Sequence, residues 1–147
     1  MNDARPLEPG RFHLLNILDQ SNLEALRRTC DEQGWPLWSL RGEEAGDAAA
    51  LFARARQDLP SPFPQRPVDN WTAFSDNLWE AAAVSGAETV VLAWSGAHAM
   101  LQGGLPDLLR GTVALQTLAR KMLRPASPNA TPITLYTFIL GEGPNFP

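Results

Sequence analysis

Four polar residues recur at helical spacing near the middle of this chain: Asp69, Thr72, Asp76 and Glu80, at steps of three, four and four. Side chains so spaced stand one above another on a single face of a helix. Trp79 follows Asp76 by three and borders the same face. Carboxylates in such a row can do two kinds of chemistry. Enclosed in a dry site, a pair can divide general acid and general base between them, because the site drives their pKa values apart. Open to solvent, a row can take the place of phosphate before the Arg and Lys side chains of a basic partner. A surface helix lacks the enclosure that the first needs, so the second is the expectation. The plain alternative is a solvated helix face. Exposed helices normally mix signs and gain from i,i+4 pairs. This one forgoes them. Residues 67–109 contain no Lys or Arg but hold Asp69, Asp76, Glu80, Glu88 and Asp107. That segment carries a formal charge of −5, while the whole chain is −4. A surface of one sign attracts the other and speeds encounter, and it repels the phosphates of nucleic acid.

Other residues with chemical potential do not assemble into a motif. His13 and His98 have no Cys, His or carboxylate at metal-ligand spacing, so each is expected to be structural or solvated and no metal site is expected. Trp94-Ser95-Gly96-Ala97 lacks the Gly two residues before the serine that a nucleophile elbow requires. Gly103-Gly104 precedes a helix but lacks the Lys and Ser/Thr of a phosphate loop. Cys30 is the single cysteine, which excludes a disulfide framework and reads as a small buried hydrophobe. Arg120, Lys121 and Arg124 read as helix-end complementarity. No enzyme activity and no cofactor are expected.

The elements that must carry the stripe follow from periodicity. Residues 12–18 suggest a strand, Asp19 to Asn22 supply cap candidates, and Leu23, Ala25, Leu26 and Cys30 repeat at helical spacing up to Gly34. A strand is expected over 36–40 and a helix over 47–59. The run Pro60 to Pro64 is a loop, because its prolines remove amide donors. Asp69 or Asn70 caps the next helix, which runs to Val84 and buries Trp71, Phe74, Leu78 and Ala81. Thr89 to Trp94 is continuously apolar, as for a strand covered on both faces. A helix over 106–123, a polar loop over 125–132 and a strand over 133–140 complete the chain. Strands alternate with helices, which predicts an α/β fold with a small three- to four-stranded, mostly parallel sheet.

Length and composition agree. At 147 residues with an apolar fraction of 44%, the chain suits one domain with one sizeable core. No apolar run follows Met1 and no window is long enough to span a bilayer, so a cytoplasmic protein without signal peptide or membrane partner is expected.

The segment Phe63 to Leu78 resembles the signature of barstar-like proteins, the intracellular inhibitors of barnase-type ribonucleases. Phe63, Pro64, Asn70, Trp71, Ala73, Phe74, Asp76 and Leu78 fall on that pattern without a gap. The order of strands and helices over 36–140 is similar too, with 1–35 corresponding to the strand and helix that precede the core in longer members and 141–147 an irregular tail. Arg66 and Pro67 stand where the family places aromatics, Val68 where it places Gly, and Thr72 where it places the first of two acids. The resemblance implies an immunity-type inhibitor, monomeric alone, that occludes a basic nuclease. Asp76 would be the anchor, with Asp69, Thr72, Glu80 and Trp79 as flanking contacts. Two other classes stay open: a non-inhibitory interaction module with a different partner, and a small enzyme or ligand-binding α/β domain.

Overall fold

The computed structural model describes residues 6–147. The element order is β1 (Leu15–Asp19), α1 (Leu23–Gln33), β2 (Leu37–Arg41), α2 (Ala48–Asp58), α3 (Trp71–Ser85), β3 (Thr89–Ser95), α4 (Leu105–Leu123) and β4 (Thr134–Gly141). The four strands form one all-parallel sheet in the order β1-β4-β3-β2. The fold is thus α/β, with four strands and every pair parallel.

The chain crosses the sheet once between β1 and β2, then steps back through β3 to β4. Parallel crossovers keep one hand, so reversing the direction of travel moves the helices to the other face. The core divides accordingly. On one face, Leu26 and Cys30 of α1 pack on Val91, Ala93, Phe138 and Leu140. On the other face, α2, α3 and α4 place Leu51, Phe52, Phe74, Leu78, Leu115 and Met122 against Val90, Leu92, Trp94, Leu135 and Ile139. Strand β3 alternates between the two clusters and is buried from Val90 to Ser95, which is why its sequence is apolar without interruption.

Two expectations are corrected at the margins, and a third gains detail. The first strand begins at Leu15, not Phe12. Residues 9–11 form a 3-10 turn. Asn16 then accepts from the His13 amide (3.0 Å) and donates to the His13 carbonyl (2.7 Å), so His13 lies in a turn outside the strand. Trp71 is half-buried, not fully buried like Phe74 and Leu78, because it stands at the rim where α3 meets α4. The tail has no regular structure but is anchored. Phe146 is buried over Gly141, where a Cβ would stand 2.5 Å from the ring. The Asp19 amide donates to the carbonyl of Pro147 at 2.7 Å.

Cys30 is buried on α1 as its spacing predicts. Burial, with the neighbouring Asp31 charge, pushes its thiol up to about 11.

Candidate functional site: the α3–α4 groove

Helix α3 is positioned by residues of the segment Phe63 to Leu78. The Asn70 side chain accepts from the Ala73 amide at 2.8 Å and caps the helix. Gly86, at φ 74°, ends it in the left-handed conformation that lacks a Cβ penalty. Trp71 meets Phe52 at 4.9 Å and Phe74 at 5.3 Å between ring centroids, and Phe63 meets Phe74 at 5.2 Å. Buried Asn77 donates to the Arg66 carbonyl at 2.8 Å, which ties the preceding loop to the helix. Of the motif residues, Phe63, Asn70, Ala73, Phe74 and Leu78 are therefore occupied with caps and core. Asp76 is the one acid among them, and it is exposed.

Helix α4 lies beside α3 because Gly111 lets it approach. A Cβ at residue 111 would stand 2.6 Å from the Trp71 ring and 3.2 Å from Trp94. Beside that contact lies a groove of about 240 Å³ between the two helices. Thr72, Ser75, Asp76 and Trp79 line it from α3, and Thr117 and Lys121 from α4. Among the described residues, no cation lies within ion-pair distance of Asp76 and no carboxylate within that distance of Lys121. The Trp71 indole N–H, which belongs to the same wall, is buried without a hydrogen-bond partner.

Of the five residues read from the stripe, the structure gathers three, Thr72, Asp76 and Trp79, in this groove. Glu80 stands apart, in an ion pair with Arg66 from the loop before the helix. Asp69 precedes the cap and accepts from the Asn70 side-chain amide at 2.9 Å. The stripe therefore does have cations beside it. Arg66 reaches back from the loop and Lys121 comes from another helix. Lys121, expected only to complement the end of its helix, lines the groove as well, and nothing in a single chain tells which helix flanks which. Asp107, counted in the acidic segment, accepts from the Ala48 amide at 2.9 Å and caps α2 across the interface.

At the carboxyl ends of the strands, where parallel α/β sheets commonly bind ligands, several polar groups are bonded within the chain. Gln20 accepts from the Gly96 amide at 2.7 Å, and the Gly42 amide donates to the Ser95 carbonyl at 2.8 Å. The Ser95 hydroxyl donates to Glu43 at 2.8 Å, and His98 Nδ1 accepts from the Glu142 amide at 3.1 Å. Ser95 and His98 are thus each engaged elsewhere. A larger hollow of about 490 Å³ beside β2 is lined by Arg41, Glu43, Glu44 and Arg54. Its arginines are committed: Asp58, with its side chain 4% exposed, pairs with Arg41 at 2.8 Å and Arg54 at 3.2 Å. Burial alone would raise the Asp58 pKa, but the bonds from both arginines and from the Arg41 amide outweigh it and hold the carboxyl below its ordinary value.

Among the described residues, no group of three or more His, Cys, Asp or Glu side chains is placed to hold a metal ion. None of their helices is long and apolar enough to cross a membrane. The fold and groove together define a four-stranded parallel α/β protein with a charged cleft between its third and fourth helices. No family model, curated protein or solved structure matches the chain.

Proposed function

We propose that this chain is a barstar-like inhibitor that binds a basic nuclease and blocks its active site with the α3–α4 face, stoichiometrically and without chemistry of its own. The observation that carries this reading is the placement of Asp76. It is the one acid of the motif, exposed, without an ion-pair partner among the described residues, and set beside the exposed hydroxyl of Thr72 and the indole of Trp79. A carboxylate so presented can accept bidentate hydrogen bonds from an arginine that otherwise holds phosphate. Trp79 supplies an aromatic surface of the kind enriched at binding hot spots.

The test is inhibition of a barnase-type ribonuclease, with association followed by surface-based kinetics. Asp76→Ala is expected to weaken binding by about 2–5 kcal/mol, the cost of leaving a desolvated cation unpaired. That magnitude comes in part from the barnase–barstar pair and is carried over by resemblance. Thr72→Asp is expected to strengthen inhibition, since it restores the acid that the family places there. Raising salt from about 0.05 M to 0.5 M should slow association. A folded Asp76→Ala protein that inhibits undiminished would remove this reading.

A second reading, a non-inhibitory interaction module on the same face, is favoured by the Arg66–Glu80 pair. That pair neutralises one acid of the stripe and sets an arginine where the family has an aromatic.

A further inference from the structure

The groove offers charges of both signs. Asp76 lines it from α3 and Lys121 from α4, with Trp79 beside them. Neither charge has an ion-pair partner among the described residues, and they do not pair with each other. A surface that was only basic would satisfy Asp76 and at the same time press a cation against Lys121. Like charges brought together across an interface are costly, and this is a common device for refusing wrong partners.

We infer that the groove recognises a paired-charge element of its protein partner. An Arg or Lys side chain bonds Asp76 and lies along Trp79, and a neighbouring carboxylate bonds Lys121. Lys121 is then the specificity determinant of the face. It turns away a uniformly basic surface and admits one that carries an acid beside its anchoring cation. The inference deepens the inhibitory reading by naming the chemistry of the partner, and it rests on that reading for the identity of the face.

The geometry of the contact is consistent with the rest of the molecule. Arg66 is engaged by Glu80, and neither lines the groove that holds Asp76. Thr72 and Thr117, from opposite walls, add hydroxyls that can donate or accept. The half-buried Trp79 ring can carry a guanidinium on its face.

Two experiments separate this inference from the reading beneath it. The first titrates the full chain with capped dipeptides, N-acetylated and C-amidated Arg-Asp and Asp-Arg, against capped Arg and capped Asp alone. The readout is the indole N–H resonances of Trp71 and Trp79. At least one mixed dipeptide should bind about threefold more tightly than capped Arg, the gain of one exposed ion pair. Lys121→Gln should abolish that advantage without weakening capped Arg, whereas Asp76→Asn should abolish both. If capped Arg and the mixed dipeptides titrate alike, or if capped Arg does not perturb the groove, the paired-charge inference is overturned. The second experiment compares wild type and Lys121→Glu as inhibitors of a barnase-type ribonuclease. Lys121→Glu should inhibit about threefold to tenfold better, since it replaces a repelling charge with an attracting one. Improvement in the folded variant supports Lys121 as the discriminating residue. Inhibition by wild type that Lys121→Glu leaves unchanged or weakens overturns it while sparing the inhibitory reading. Failure of both proteins to inhibit, with the dipeptide preference intact, overturns the nuclease reading and leaves the paired-charge groove standing.

Discussion

The strand ends and the α3–α4 groove treat their charges in opposite ways. At the strand ends, Arg41 and Arg54 close on Asp58, Ser95 on Glu43, Gln20 on the Gly96 amide and His98 on the Glu142 amide. Polar groups there are spent on holding loops together. In the groove, Asp76 and Lys121 face solvent without partners among the described residues. A buried polar group must find its bond inside the protein or cost stability. An exposed one can remain available to another molecule. At the strand ends these polar groups are committed to contacts within the molecule, whereas the seam between α3 and α4 keeps a carboxylate and an ammonium without ion-pair partners among the described residues.

The sharpest way to break this contrast is through the helix that carries the groove. Phe74 is fully buried among Phe52, Phe63 and Trp71. Phe74→Ala should lower stability by about 3–5 kcal/mol in denaturant unfolding. A midpoint close to wild type would mean that α3 is not seated as described.

Next in size is Asp58→Ala, which removes the buried carboxylate that Arg41, Arg54 and the Arg41 amide share. It should cost about 2–3 kcal/mol. The pH dependence sharpens the point. The folded-state pKa of Asp58 is depressed below its ordinary 3.8. Its contribution is therefore fully present above that value and is lost as pH falls through the lower folded value. Stability of the wild type should fall below about pH 4. Asp58→Ala should show a shallower fall, and equal slopes would argue that the network is not formed.

The smallest effects belong to the groove side. Asp76→Ala and Glu80→Ala should each stay within about 0.5 kcal/mol of wild type, as exposed substitutions and surface ion pairs generally do. Were Asp76→Ala to destabilise as strongly as Asp58→Ala, the distinction between spent and available charges would fail.

The chain's periodicities carried the fold a long way. The apolar run Val90 to Trp94 reads as a strand covered on both faces, and it is one. Asp47 and Asn70 each accept from an amide three residues on, and Gly34 and Gly86 end their helices at positive φ. Such features are local. A cap bonds an amide three residues away, and a side chain's burial follows from its step along the helix. For the same reason Thr72, Asp76 and Glu80 were legible as one stripe of α3, whereas Asp69 falls before the Asn70 cap and outside the helix.

What lies across that face was not legible. The sequence of residues 67–109 contains no cation, yet Arg66 folds back onto Glu80 and Lys121 arrives from α4. Asp107 looked like part of the acidic patch and instead caps α2. These pairings depend on which helices become neighbours. That is settled by the direction in which the chain recrosses the sheet and by the close approach that Gly111 permits. Local propensity and spacing sufficed for the elements and for the stripe. Only tertiary packing decided which charges were paired within the molecule and which stayed exposed and unpaired among the described residues, because an ion pair is a matter of distance in space and not of distance along the chain.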